Sequence, residues 1–182
     1  IMVVTGVQTC ALPIFTSKSY LKKSLACRQL GELRLNGTEE YILKLSYCNN
    51  NDVRYNVLLA LSKLGDLEGI VNMLTKDYEH IHLSHRAVIE IISTFNGSKE
   101  KFFTEILPLS DDYVRGVLIN AAAEYKIEGL REYYIKYLGS DDKNLRIACI
   151  RALCDLEVSH NEDYIINMLE DKEWQDRKST RL

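Results

Sequence analysis

The chain has 182 residues, of which 46% are hydrophobic and 27% charged, and its formal net charge is −3. This is the composition of a soluble globular protein that buries a sizeable core. The acidic balance argues against a nucleic-acid groove, which requires a concentrated Lys and Arg surface, and no run of about 18 apolar residues predicts a membrane span. We therefore expect no nucleic-acid partner and no membrane insertion.

The two ends of the chain are related at the level of DNA. Codons for residues 176–182 (DRKSTRL) can be chosen so that the complementary strand encodes residues 8–14 (QTCALPI), and both strings resemble a translated sequencing adapter. We interpret residues 1–14 as an artefactual leader and residues 176–182 as an artefactual tail, and expect residues 15–175 to be a fragment of a longer protein. A secretory leader is the alternative, but residues 1–14 contain no Lys or Arg for its positive region.

From residue 15 onward, a basic or imidazole residue recurs with a period close to 31 residues. The recurring residues are Lys23, Arg54, His85, Arg115 and Arg146. Apolar or small residues follow each of them at offsets of 3, 4, 7 and 10, which trace one face of an α-helix. The pattern predicts a first helix of about 13 residues in each of five repeats. Cys27, Cys149 and Cys154 lie in these helical patterns and are expected to be buried, reduced thiols, with redox or metal chemistry as the alternative.

Polar residues mark the beginning and the end of several predicted first helices. Asn50, Asp111 and Asp142 each precede one, and their side chains can accept unpaired amide hydrogens of the first turn. Gly65-Asp66 and Asn96-Gly97 are expected to end two of the first helices, because these residue types tolerate left-handed backbone.

A second helix is predicted in each repeat from a further set of apolar anchors. The anchors are Tyr41, Ile42 and Leu45; Ile70, Val71 and Leu74; Phe102, Phe103 and Ile106; Tyr133, Tyr134 and Tyr137; and Tyr164, Ile165 and Met168. Short polar linkers between the pairs predict antiparallel neighbours, and stacked pairs share one core that a single pair cannot form. The predicted fold class is all-α, an α-solenoid of about five helix-pair repeats.

Two segments resemble HEAT repeats of the bacterial, phycobilisome-lyase-like type. They are residues 51–74 (NDVRYNVLLALSKLGDLEGIVNML) and residues 141–156 (DDKNLRIACIRALCDL). Val53-Arg54 and Leu64-Gly65-Asp66 keep the family pattern, whereas Ser84-His85 departs from it. The resemblance covers nearly all of residues 15–175 and implies an armadillo-like helical solenoid. It does not imply one activity, because such proteins serve as scaffolds, lyase subunits, regulatory modules and appendages of enzymes.

The recurring basic residues have two interpretations. As a ladder, Lys23, Arg54, His85, Arg115 and Arg146 could bind acidic groups of a ligand along one ridge. As structural residues, they would pair with acidic residues of their own or the adjoining repeat while their long side chains cover apolar surface. We favour the structural interpretation.

The second helices carry the candidate partner surface, because tyrosine is enriched at protein interfaces. The predicted partner-binding residues are Tyr41, Lys44, Lys101, Arg131, Tyr134 and Tyr137. A position in the core is the alternative for tyrosines at helical spacing.

Catalytic and metal motifs are not found in the sequence. It has no phosphate-binding glycine loop, nucleophile elbow or HExxH motif, and adjacent carboxylates such as Asp111-Asp112 lie at predicted helix starts, where negative charge is favourable. His80, His82 and His85 lack the spacing and the cysteine pair of a zinc site. We therefore predict no catalytic residue, no metal and no cofactor.

The leading functional hypothesis is a non-catalytic, cytoplasmic scaffold that binds a protein or peptide on its second-helix face. One alternative is a lyase-type subunit or a DNA-alkylation-repeat-like enzyme module, the second of which would require a cationic groove. Another is a soluble regulatory arm of a larger enzyme that could itself be membrane-bound.

Overall fold

The computed structural model describes residues 16–35, 37–75, 84–156 and 166, and within these ranges all regular secondary structure is helical, which confirms the all-α prediction. The first helices are α1 (Tyr20–Glu32), α3 (Asn51–Leu64), α5 (His85–Thr94), α7 (Asp112–Glu124) and α9 (Lys143–Asp155). The second helices are α2 (Glu39–Leu43), α4 (Leu67–Thr75), α6 (Lys99–Ile106) and α8 (Arg131–Tyr137), the last preceded by a 3-10 turn at Glu128–Leu130. The anchors Tyr164, Ile165 and Met168, and both predicted artefactual ends, lie outside the described residues.

Each first helix is preceded by a polar residue whose side chain accepts a hydrogen bond from a main-chain N–H of the first turn. The capping residues are Ser19, Asn50, Ser84, Asp111 and Asp142. The oxygen of Asn50 lies 3.0 Å from the Val53 nitrogen, and that of Asp111 lies 2.8 Å from the Val114 nitrogen. The three predicted caps are therefore confirmed, and each such cap typically stabilises its helix by about 1 kcal/mol.

The ends of the first helices agree with the sequence only in part. Gly65 ends α3 in the left-handed region, with φ of 80°, as predicted. The prediction for Asn96-Gly97 was wrong, because α5 ends at Thr94 and the extended backbone of the next residue, Phe95 (φ −60°, ψ 122°), leads the chain out of the helix without a left-handed residue. Arg34 and Lys126 instead adopt positive φ, 46° and 48°, two residues after α1 and α7 end.

The predicted apolar face of the first helices is mostly buried. All residues at offsets 3 and 7 from the recurring basic residue are buried, while the exceptions lie at offsets 4 and 10. Leu33 is 65% exposed because α1 has already ended at Glu32. Cys27 and Cys149 are buried free thiols, but Cys154 is exposed, which contradicts its predicted burial. Cys154 lies three residues after the exposed Arg151 and next to the exposed Asp155, so it belongs to the solvent side of α9.

The chain divides into two compact units, Ile1–Lys99 and Glu100–Leu182. In the first unit, α3 packs against α1 and α5 and also contacts α2 and α4. In the second unit, α9 packs against α7 and α8. First helices that lie one repeat apart in the sequence therefore pack against each other within each unit.

Helices α1 and α3 are in close contact, and polar side chains that lie 31 or 32 positions apart in the sequence bind each other across it. The ammonium nitrogen of Lys63 lies 2.5 Å from a carboxylate oxygen of Glu32, and the Asn56 amide donates to the Ser24 hydroxyl over 2.8 Å. At Gly31 the helices approach so closely that a Cβ would lie 2.8 Å from the Ala60 Cα atom. A side chain at position 31 would force the two helices apart.

Candidate functional site

The recurring basic residues lie near the first turns of the first helices. Lys23, Arg54, Arg115 and Arg146 are each the fourth residue of their helix, whereas His85 is the first residue of α5. This difference matches the departure of Ser84-His85 from the repeat pattern in the sequence. The helix that contains His85 begins three residues later in the register than the other four.

Arg115 is the centre of a cluster in the second unit. Its Nε donates to the Leu107 carbonyl over 3.0 Å, and one guanidinium nitrogen binds the Asp112 carboxylate. The guanidinium carbon lies 4.5 Å from the centre of the Tyr137 ring, within the range of a cation–π interaction. The other oxygen of Asp112 accepts a hydrogen bond from the Ser140 hydroxyl over 2.9 Å. Arg115 thus connects the end of α6, the start of α7 and the end of α8.

Arg54 and Arg146 also donate to main-chain carbonyls that precede their own helices. Arg54 is only 8% exposed, and its Nε lies 3.1 Å from the Ser46 carbonyl oxygen. Arg146 donates to the carbonyls of Ser140 and Asp141 over 2.9 and 3.1 Å. A cation near the carboxyl end of a helix or turn satisfies its last carbonyls and complements their partial negative charge. These donors are engaged inside the chain.

Lys23 has a different contact from the three arginines. Its ammonium nitrogen lies 3.5 Å from the sulfur of Cys48, in the linker between α2 and α3. Lysine cannot form the bidentate contacts of a guanidinium group, so among the described residues the sulfur contact of Lys23 stands in place of the guanidinium contacts that the arginines make.

In the first unit, the predicted residues Tyr41 and Lys44 lie together on α2 and the turn that follows it. The Lys44 ammonium is 3.0 Å from a Glu40 carboxylate oxygen and 5.3 Å from the centre of the Tyr41 ring. Lys44 is exposed and Tyr41 is half-buried. Both the ion pair and the cation–π contact are formed between neighbours one helical turn apart.

A cleft of about 370 Å³ lies beside Lys44, and we call it the α2/α4 cleft. Its lining residues are Glu40, Leu43, Lys44, Ser46, Tyr47, Asn72 and Met73. Leu43 and the buried Met73 contribute apolar surface, while the Asn72 amide and the Glu40–Lys44 pair contribute polar groups. The Tyr47 side chain is 79% exposed. The cleft therefore combines apolar and polar lining residues with an exposed aromatic ring.

Tyr47 was not among the residues predicted from the sequence. It lies two positions after the buried anchor Leu45. In helical geometry two positions correspond to a rotation of about 200°, which places Tyr47 nearly opposite Leu45. That spacing was the available signal, since a residue opposite an inward anchor points outward.

The predicted residues of the second unit divide into exposed and buried ones. Lys101 is exposed on α6. Arg131 is half-buried, and one of its guanidinium nitrogens lies 3.7 Å from a carboxylate oxygen of Glu132. Tyr134 is completely buried and Tyr137 is 8% exposed, so neither side chain offers contact area to a partner in this structure. Burial raises the pKa of both phenols. The core alternative describes these two tyrosines better than the interface hypothesis does.

The two buried hydroxyls differ in their hydrogen bonding. The Tyr137 hydroxyl donates to the Leu107 carbonyl over 3.4 Å. The Tyr134 hydroxyl has no hydrogen-bond partner among the described residues. An unsatisfied buried hydroxyl is unfavourable, and no sequence pattern indicated this one.

A second, polar cleft of about 490 Å³ lies across α1, α3 and α5. Its lining residues are Ser24, Arg28, Glu32, Asp52, Tyr55, Asn56, Leu59, Ala60, Lys63 and Glu90. The Tyr55 hydroxyl donates to the Glu90 carboxylate, and Lys63 pairs with Glu32. The pKa of the Glu32 carboxyl is lowered mainly by the hydrogen bond from Lys63. The pKa of Tyr55 is raised to about 12, mainly by burial and also by the hydrogen bond to the Glu90 carboxylate. These polar groups are engaged with one another.

The described part of the chain lacks two features that would point to a metal site or to membrane insertion. It contains no group of three or more His, Cys, Asp or Glu side chains placed to hold a metal ion. None of its helices combines the length and apolar character that crossing a bilayer requires. His80 and His82 lie outside the described residues.

No family model matches the chain, and no curated protein matches its sequence significantly. The resemblance to HEAT repeats therefore rests on the sequence pattern alone.

Proposed function

We propose that the chain is a non-catalytic protein-interaction scaffold, built from HEAT-type helix pairs that form an α-solenoid, and that it binds a peptide segment of a partner protein in the α2/α4 cleft. The packing of first helices one repeat apart, within each unit, supports the repeat architecture. The single observation that carries the functional part is the exposed Tyr47 ring beside a cleft between two second helices.

The surroundings of the cleft favour a short peptide with one apolar anchor. A volume of about 370 Å³ exceeds that of a single side chain and lies in the range of small binding sites. Leu43, which is partly exposed, provides apolar contact for the anchor, the buried Met73 lines the cleft, and Tyr47 can cover the anchor with little loss of side-chain freedom. Central aromatic residues of this kind often carry much of the binding energy.

The ion pair between Lys44 and Glu40 beside the cleft can be replaced by contacts to a peptide with little loss of stability. Lys44 and Glu40 form a solvent-exposed pair, and such pairs contribute about 0–1 kcal/mol to stability. Main-chain carbonyls or side chains of a bound peptide can therefore replace either member of the pair. The Asn72 amide supplies both a donor and an acceptor to the peptide backbone.

A displayed peptide library selected on the whole chain tests the proposal. Enriched peptides are then titrated by fluorescence anisotropy against the wild type, Tyr47→Ala and Tyr20→Ala. Tyr20 is a matched control because it is an exposed tyrosine of the same unit that does not line the cleft. We expect Tyr47→Ala to weaken binding about tenfold or more, since removal of an interface anchor costs at least about 1.4 kcal/mol.

The Tyr20→Ala control shows whether a loss of affinity is specific to the tyrosine that lines the cleft. Tyr20→Ala should bind the selected peptides as tightly as the wild type. Equal affinity of the wild type and Tyr47→Ala would refute the assignment of the cleft, and so would a failure of the library to yield any binding peptide.

A further inference from the structure

The turn between α5 and α6 contains an Asn-Gly pair in an unusual setting. Asn96 and Gly97 are both exposed, and Phe95 just before them is buried. The ring of Phe95 lies against Gly97 so closely that a Cβ on that residue would be 2.6 Å from the ring. Packing thus requires a glycine at position 97, and glycine leaves its main-chain nitrogen without a side chain beside it.

The side-chain amide of Asn96 and the main-chain N–H of Gly97 make no hydrogen bond to any described residue. Asn96 uses its main-chain N–H to donate to the Ser62 carbonyl over 2.9 Å, but its side-chain amide has no partner among the described residues. The Gly97 N–H likewise has no acceptor within the described part of the chain. In a helix, by contrast, the following N–H is held in a hydrogen bond to a carbonyl four residues earlier.

We propose that Asn96 is a site of spontaneous deamidation in the folded protein. The Gly97 nitrogen attacks the side-chain carbonyl carbon of Asn96 and loses its proton, a carbon–nitrogen bond forms, and the amide nitrogen leaves as ammonia. Water then adds to one of the two carbonyl carbons of the resulting succinimide ring and opens it. The products are aspartate or isoaspartate at position 96, and no oxidant or reductant takes part.

The modification changes the junction between α3 and α5. Isoaspartate lengthens the main chain by one methylene group, next to the Asn96 N–H that is bonded to Ser62. The Asn96 carbonyl oxygen also lies only 2.6 Å from the position that a Cβ on Gly65 would take, so this turn is tightly packed against the end of α3. Deamidation therefore adds a negative charge and disturbs a contact that joins two neighbouring repeats.

Tryptic peptide mapping of the intact protein after incubation at mildly alkaline pH tests this proposal. Cleavage after Arg86 and Lys99 gives residues 87–99, in which Asn96 is the only side-chain amide. Residues 116–126 are the control peptide, whose only amide, Asn120, lies inside α7 and is followed by Ala121. We expect residues 87–99 to gain the mass change of deamidation roughly tenfold faster, about 1.4 kcal/mol in activation free energy.

A variant of Asn96 and a comparison with the unfolded chain complete the test. In Asn96→Gln, which keeps an amide but forms the cyclic intermediate poorly, residues 87–99 should retain their mass. Equal rates for the two peptides in the native protein would overturn the proposal. A reaction of residues 87–99 that occurs only after urea is added would also overturn it, because the native turn would then protect Asn96.

Discussion

The guanidinium carbon of Arg115 lies 4.5 Å from the centre of the Tyr137 ring. The sequence pattern assigned the first residue to a recurring structural position and the second to a partner surface. In the structure they belong to one cluster, in which Arg115 also binds Asp112 and two main-chain carbonyls. The contact connects a first helix with the second helix of the same repeat.

Replacement of Arg115 should destabilise the protein strongly. Arg115→Met removes the donors to the carbonyls of Leu107 and Ser110 and leaves these groups with fewer partners. We expect the free energy of unfolding to fall by about 2–3 kcal/mol, measured by urea denaturation. Arg151→Met is the control, since Arg151 is exposed on α9, and it should change stability by no more than about 0.5 kcal/mol. Equal effects of the two substitutions would contradict a structural role of Arg115.

Removal of the Tyr134 hydroxyl should stabilise the protein or leave its stability unchanged. The hydroxyl is buried without a partner among the described residues, so Tyr134→Phe removes an unsatisfied polar group and keeps the ring. We expect a gain of up to about 1 kcal/mol in the free energy of unfolding. Tyr137→Phe loses a bond to the Leu107 carbonyl and should not stabilise. A clear loss of stability in Tyr134→Phe would show that its hydroxyl is hydrogen-bonded.

Two helical glycines should respond to alanine in opposite directions. Gly31→Ala places a methyl group 2.8 Å from the Ala60 Cα atom, and this overlap should cost about 1–3 kcal/mol. At Gly116 in α7 the nearest atom to a new Cβ is 3.8 Å away, so Gly116→Ala should stabilise by about 0.5–1 kcal/mol through helix propensity. Thermal denaturation of both variants distinguishes them. Similar changes in Tm would mean that α1 and α3 are not in close contact.

Stability should decrease at alkaline pH because buried thiols must remain protonated. Burial raises the pKa of Cys27 and Cys149 from 9.0 to about 12. Above pH 9 the unfolded chain therefore binds fewer protons than the folded chain, so stability is fully present below pH 9 and is lost as pH rises toward 12. Each thiol contributes a slope of about 1.4 kcal/mol per pH unit at most.

The measurement for this prediction is the free energy of unfolding as a function of pH. In the double variant that combines Cys27→Val and Cys149→Val, the free energy of unfolding should decrease less steeply above pH 9 than in the wild type. Part of the slope should remain, because burial also raises the pKa of Tyr134. Identical slopes in the variant and the wild type would rule out the thiols as its cause.

The features that the sequence predicted correctly depend on local chemistry. Asn50 and Asp111 cap their helices because a short polar side chain beside a first turn binds the exposed amides in almost any context. The burial of Val57 and Leu61 follows from helical spacing alone. These predictions required no knowledge of neighbouring helices.

The features that were missed depend on packing between helices. Tyr134 was predicted to lie on the partner surface of a second helix, yet it is completely buried. Neighbouring helices decide which side of a helix of only five to seven residues faces inward, and the pattern of one short segment does not contain that information. The extended backbone of Phe95 after α5 also depends on packing, because the Phe95 ring is buried and lies against Gly97.

The most direct measurement of the proposed function follows the methyl group of Met73 by NMR during titration with a selected peptide. The chain contains three methionines, Met2, Met73 and Met168, so methyl-labelled protein gives few signals, and Met73→Leu assigns the one from the cleft. We predict that the Met73 signal shifts as the peptide binds and that Tyr47→Ala weakens this response. Peptide binding with an unchanged Met73 signal would contradict the account, because it would place the partner outside the α2/α4 cleft.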